Sequence, residues 1–254
     1  MTLLALDSST EVCSAALLQD GQVLAERCNL TGSNHAALLP TYVQELQSHI
    51  GSPSAALDAI VLSEGPGSYT GLRIGASLAK GLCYGQNIPL LAVPTLAVIA
   101  YAAIRATNTN SNHSSPSLTR VPEEEAGSGS PLFCPMIDAR RMEVYCTVYD
   151  ANMQVIQPLT AKIIDAQSFA DLLDGHDIYF CGNGADKCRT VINHPHAHWI
   201  EAIVPTGADA GRLAYTFSSR SDLVRTITGK DIAYFEPNYL KEFVAAPSHI
   251  KGLH

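Results

Sequence analysis

The sequence predicts an α/β fold in two lobes, on three observations. Short apolar runs at residues 3–7, 12–18, 59–62, 88–93, 133–138 and 178–181 read as strands, and they alternate with helical patterns. Between residues 106 and 130 the composition shifts to Ser, Asn and Thr around the acidic knot Glu123, Glu124 and Glu125, as in a flexible insertion. On each side of that break the chain restarts with a strand, a turn and a second strand. The expected division is therefore a first lobe over 1–105, an insertion over 106–130 and a second lobe over 131–254.

Composition narrows the class. The 254 residues are 46% hydrophobic and 16% charged, enough to bury a substantial core. Sixteen basic against 24 acidic residues leave a net charge of −8. A chain this acidic lacks the clustered Lys and Arg that would hold nucleic acid unaided. Seven scattered cysteines without a Cys-x-x-Cys form neither a disulfide framework nor a zinc site and read as reduced thiols. The start has no basic and apolar leader, and no run reaches the ~20 apolar residues of a membrane span. A cytoplasmic protein without membrane association is the expectation.

The N-terminal strand ends at Asp7-Ser8-Ser9-Thr10, and Gln19-Asp20-Gly21 marks a hairpin into a third strand over 22–28. An Asp at the first turn before a hairpin is how actin-like and sugar-kinase-like folds begin, with Asp7 and Ser9 facing phosphates. A turn whose backbone these side chains merely satisfy is the competing reading. A helix follows His35, with Leu39, Val43, Leu46 and Ile50 in one stripe for the sheet and Leu38, Tyr42 and His49 beside it. Pro40 falls early in this helix and Gly51 ends it. His35 is read as a capping or interface residue, since a helical ligand pair needs a second His where Leu39 stands.

Residues 63–85 carry the most unusual pattern. Gly65-Pro66-Gly67 turns the chain and Ser68 caps a helix running to about Gly85. Arg73, Ser77, Lys80 and Tyr84 make one narrow polar strip, and the rest of the circumference is apolar or glycine. Such a helix must be covered on two sides. Gly71 and Gly75 each cost helix stability, roughly 1 kcal/mol relative to Ala, which makes sense where another backbone comes close. That backbone belongs either to its own lobe or to a partner.

Thr95 caps a helix to Arg105. In the second block, Asp138, Arg140 and Arg141 sit in a turn between two strands, as a polar cleft cluster or as a hairpin with solvated charges. Gly182-Asn183-Gly184 leads from a strand into a helix over 185–192, either cradling phosphate on its amides or turning tightly. His194, His196 and His198 would share one face of an extended segment and could meet a metal there, but no carboxylate or thiol stands among them and Pro195 favours an irregular lead-in. A short helix spans 168–173, and Asp209 caps another to residue 217. A docking tail runs over 234–243.

Six segments in order carry a family resemblance: Leu4-Ala-Leu-Asp7-Ser-Ser-Thr10, His35 with Leu38-Leu39-Pro40, Gly65-Pro-Gly-Ser-Tyr-Thr-Gly-Leu-Arg-Ile-Gly75, Val93-Pro-Thr-Leu, Asp138-Ala-Arg-Arg-Met-Glu-Val-Tyr145 and Glu236-Pro-Asn-Tyr-Leu. Together they resemble the TsaB (YeaZ) family of bacterial threonylcarbamoyladenosine biosynthesis. The resemblance implies an actin/sugar-kinase-like (ASKHA) fold of two ribonuclease-H-like halves. It implies a non-catalytic dimerisation subunit that pairs with a TsaD-like catalytic subunit through the first two helices, with a TsaE-like ATPase joining. The complex would transfer threonylcarbamoyl to adenosine 37 of tRNAs reading codons that begin with A, meeting tRNA only as an assembly. ATP and a divalent metal would sit on the partner subunits, with no metal and no cofactor on this chain.

The expected partner surface is then Leu38, Tyr42 and His49 on one helix with Gly71, Gly75, Leu78 and Leu82 on the next, and self-pairing through it is expected of the chain alone. The alternative is an ATP-dependent phosphoryl-transfer enzyme using Asp7, Ser9, Asp138, Arg140, Gly182 and Gly184, although the acidic set that would hold its metal is sparse. A metallopeptidase reading fails on ligands, with no His-Glu-x-x-His in the chain.

Overall fold

A computed structural model describes residues 1–32, 34–48, 56–110 and 129–240. The first sheet forms from β1 (Thr2–Asp7), β2 (Cys13–Gln19), β3 (Gln22–Asn29), β4 (Ala59–Ser63), β5 (Leu90–Val93) and β11 (Arg225–Ile227), in the order β11-β5-β4-β1-β2-β3. The second contains β6 (Leu132–Asp138), β7 (Glu143–Asp150), β8 (Val155–Ile163), β9 (Ile178–Cys181) and β10 (Ala197–Ile200), in the order β10-β9-β6-β7-β8. Both repeat one plan. An antiparallel three-strand meander is followed by two strands parallel to its first member. This is the pair of ribonuclease-H-like halves that the resemblance implied.

Period-two alternation distributes β1 between two cores. Leu4 and Leu6 join Ala15, Leu17, Ile60 and Leu62 against α1 (His35–Gln47) and α2 (Tyr69–Gln86). Leu3 and Ala5 join Val61 and Leu91 on the opposite face. That face is covered by α6 (Gly207–Thr216), a helix of the C-terminal half, while α3 (Thr95–Asn110) from the N-terminal half lies on β6. The helix ending each half thus packs against the other half, and one core holds Leu3, Ile99, Phe133 and Leu213 together. With β11 also added to β5, the chain beyond about residue 200 belongs largely to the first lobe, which a boundary at 130 does not capture.

Several expected elements differ in extent. Helix α3 continues to Asn110, so residues 106–110 are helical, and 111–128 lie outside the described residues. Thr95 does not cap it; its hydroxyl accepts from the Gly65 amide at 3.1 Å. Thr206, not Asp209, caps α6, accepting from the Asp209 amide at 3.1 Å with Asp209 three residues on. The expected helices over 168–173 and 185–192 are single turns, α4 (Ala170–Leu173) and α5 (Ala185–Cys188). Strands β8 and β11 were not evident from pattern, since Pro158 interrupts one and the other has three residues.

The glycines of α2 and α6 sort by what a methyl group would meet. On Gly207 it would lie 2.6 Å from the Ala5 carbonyl oxygen, whereas around Gly81 there is open space. Gly207→Ala is expected to destabilise the fold by about 1–3 kcal/mol through overpacking against backbone. Gly81→Ala is expected to stabilise it by about 0.5–1 kcal/mol. Urea unfolding midpoints of the two variants check both signs.

Candidate functional site

The first two helices and the interlobe cleft meet at the turn after β1. Residues Ser8 and Ser9 lie against the start of α2: the Ser68 amide donates to the Ser9 carbonyl at 2.7 Å, and the Ser8 hydroxyl to the Gly71 carbonyl at 2.9 Å. Ser68 caps α2, accepting from the Gly71 amide at 3.3 Å. A Cβ on Gly71 would overlap the Ser8 carbonyl, and one on Gly75 the Ser8 hydroxyl. Gly71 and Gly75, expected on the partner surface, are therefore buried against their own lobe. The approaching backbone is that of the β1 turn.

Asp7 lies beneath this turn, wholly buried. Its Oδ1 accepts from the Ser9 amide at 3.1 Å and the Ser9 hydroxyl at 3.0 Å. Its Oδ2 and the hydroxyl of Ser63 on adjacent β4 have no well-formed hydrogen bond among the described residues. Burial pushes the carboxyl up to about 6, against the opposing pull of Ser63, Ser9 and the His35 charge. His35, opening α1, holds the Thr10 carbonyl through Nε2 at 2.9 Å.

The cleft has a volume of about 620 Å³. Its first-lobe wall is Ser9, Thr10, Glu11 and residues 67–70; its second-lobe wall includes Asp138, Arg140, Tyr145 and Asn183. Asn183 spans the lobes, donating to Glu11 at 3.0 Å and accepting from the Asp138 amide at 3.1 Å. The turn at 138–143 holds both arginines in the left-handed region, Arg140 at φ 73 and Arg141 at φ 51. Lys187 pins it, donating to the Asp138 carboxylate and to the Arg141 and Glu143 carbonyls. Burial opposes ionisation of Asp138, but Lys187 and the Arg140 amide outweigh it and hold the carboxyl below its usual range. Asn183 and Lys187 carried no signal of this in sequence, because their partners are 45 and 49 residues away.

Gly182 and Gly184 are seated against the backbone of β6. The Gly184 amide donates to the Met136 carbonyl at 3.0 Å, and side chains on the two glycines would strike the backbone of 136–138. Both serve close packing of β9 on β6. The cleft is closed on its third side by a C-terminal strap after α7 (Asp231–Tyr234): the Asn238 amide donates to the Glu64 carbonyl at 2.7 Å and Tyr239 packs on Tyr69 with centroids 4.9 Å apart.

Beside the cleft, α1 and α2 present a joint face. Leu39, Val43 and Leu46 of α1 are buried on the sheet, while Leu38, Tyr42, Leu78 and Leu82 are half-buried between the helices and solvent. A groove of about 500 Å³ lies between Ala36 and Pro40 of α1 and Tyr69, Arg73, Ile74 and Leu78 of α2. Ile74 was not singled out in sequence, although its spacing of four from Leu78 puts it on that face. Arg73, Ser77 and Tyr84 point outward, Tyr84 at 88% exposure. His49 lies outside the described residues.

Of the three alternating histidines of the second lobe, His194 and His196 pack edge to face with ring centroids 5.3 Å apart, and His198 is engaged separately. His198 pairs with Asp177 at 2.8 Å, His196 contacts the Leu173 carbonyl at 2.8 Å, and His194 stands 3.9 Å from Asp174. Six cysteines are buried and Cys28 is exposed, all free. No helix among the described residues is long and apolar enough to cross a membrane.

Comparison with known proteins places the chain. The family model for TsaD, described as tRNA N6-adenosine threonylcarbamoyltransferase, matches residues 28–252. The tRNA threonylcarbamoyladenosine biosynthesis protein TsaB of Bacillus subtilis is 34% identical over 247 residues, 95% of this chain and 94% of that one. The chain belongs to the TsaB family. The TsaB of Escherichia coli is 33% identical over 60% of this chain and 56% of its own length, and that of Haemophilus influenzae is 38% identical over 41% of this chain and 43% of its own. The solved structure of YeaZ from Pseudomonas aeruginosa superposes with a TM-score of 0.70 at 28% identity, covering 94% of this chain and 99% of that one.

In this TsaB-family chain the buried Asp7 carries a pH signature. A carboxyl raised from 3.8 to about 6 takes up a proton on folding, so its contribution is favourable below pH 4 and is lost as pH rises through 6. Asp7→Asn is expected to be more stable than wild type at pH 8, by about 2–3 kcal/mol, and the gap should close by pH 4. Paired urea titrations at both pH values test this; an equal gap at pH 4 and 8 would count against a carboxyl raised by burial.

Proposed function

We propose that this protein is a non-catalytic dimerisation subunit in tRNA threonylcarbamoyladenosine biosynthesis, presenting α1 and α2 to a TsaD-like catalytic subunit. Membership in the TsaB family, whose relatives carry the name of that pathway, supports the pathway. The half-buried face of Leu38, Tyr42, Ile74, Leu78 and Leu82 supports the surface. Two helices of a partner laid across such a face would complete a four-helix junction. The polar groups of the cleft support a structural role, since Asp138 and the Gly184 amide are engaged within the protein itself. A TsaE-like ATPase would join the assembled pair, with ATP and metal on the partners and tRNA met by the complex. In the absence of the catalytic subunit the same face would pair two copies of this chain.

The single observation carrying this reading is the apolar groove between α1 and α2 on a chain of net charge −8. Leu78→Arg is expected to weaken binding to a TsaD-like subunit by about 30-fold or more, the loss of one interface hot spot. Reconstituted threonylcarbamoyl transfer to tRNA should fall in parallel, while circular dichroism shows the variant folded. Undiminished binding by the folded variant would remove α2 from the interface.

A further inference from the structure

We infer that a second groove, on the strap side of α2, receives acidic side chains of the partner, carried two turns apart on one of its helices. The inference rests on the proposed partner surface and names the chemistry which that surface selects. The groove, of about 440 Å³, lies between α2 and the strap. Arg73, Ser77 and Lys80 line one wall, Phe235 and Tyr239 the other. Arg73 and Lys80 are seven positions apart, so they share one strip of the helix at a separation of roughly 10 Å along its axis. Neither has an ion-pair partner among the described residues, whereas Arg27, Arg189 and Arg225 each hold a carboxylate. Glu236 also lines the groove and pairs with neither cation.

The guanidinium is held ready. Arg73 donates to the Tyr69 hydroxyl at 3.3 Å and lies 5.5 Å from the centroid of that ring, and Tyr69 is itself packed on Tyr239. Stacking of this kind leaves the rest of the planar fork for a carboxylate, and an ordered side chain loses less freedom on binding. Tyr69, Arg73 and Ser77 also line the apolar groove on the other flank of α2. A partner helix seated beside α1 and α2 therefore runs along a ridge whose far side carries the two unpaired cations. Nucleic acid fits this groove less well, since binding it relies on many phosphate contacts, and here two cations stand beside Glu236 on a chain of net charge −8. Ion pairs at such a rim add little to affinity but steer encounter, so their effect falls on the association rate.

The test follows association of the full chain with a TsaD-like subunit at about 50 and about 500 mM salt. Joint replacement Arg73→Glu and Lys80→Glu is expected to lower the association rate about tenfold at low salt and to remove most of its salt dependence. The dissociation rate should change by less than about threefold. Arg189→Glu, a charge reversal remote from α2, should leave both rates as they are. An unchanged association rate in the folded double variant overturns the inference and leaves the α1–α2 surface standing, and so does an equal loss in Arg189→Glu. A second measurement needs no partner: hexaglutamate added to the isotopically labelled chain should shift the Arg73 Nε and Lys80 Nζ resonances. No shift overturns the inference, as does an oligoribonucleotide that shifts them at lower concentration. If wild type fails to bind the subunit but hexaglutamate shifts both resonances, the partner surface fails and the carboxylate site stands.

Discussion

Much of this structure depends on one close contact, the seating of α2 on the turn that follows β1. Ser8 and Ser9 meet Ser68 and Gly71 backbone to backbone, at a distance only glycine permits. That contact fixes the direction of an 18-residue helix, and with it both surfaces that matter. The start of α2 becomes a wall of the cleft, and its far side is pushed outward next to α1. The helix carries glycine at 71 and 75 because Ser8 of the turn lies too near for a Cβ at either position.

The cleft has the layout of a ligand site at the ends of parallel strands, but its polar groups face one another. Asp7 is under the turn rather than in it. Lys187 spends its donors on the neck of the 138–143 turn and Asn183 accepts from the Asp138 amide there, around two arginines in backbone conformations that non-glycine residues adopt rarely. Asn183 joins that turn to the first lobe by donating to Glu11.

The period-two strands and the capped helix α2 were legible in sequence because each is set by neighbours within a few residues. The repeated opening of the two halves was legible for the same reason. What α2 would face was not legible. Gly71 and Gly75 announce a close neighbour, but sequence does not say whether it is Ser8 or another molecule. The cleft failed similarly: Gly182 and Gly184 carry the same small-residue pattern whether they cradle a ligand or pack on Met136. Strand β11 escaped because three residues have no periodicity, and its place is decided by β5, more than a hundred residues earlier.

The exchange of helices between halves has a consequence for synthesis. The first sheet is complete, apart from its edge strand β11, once β5 has emerged, yet α6 is translated more than a hundred residues later. At ordinary elongation speeds that interval is on the order of ten seconds. Throughout it, the row of Leu3, Ala5, Val61 and Leu91 stands without its cover. The nascent chain is thus a natural client for ribosome-associated holdases, and the molecule commits to its final shape only when the last third arrives.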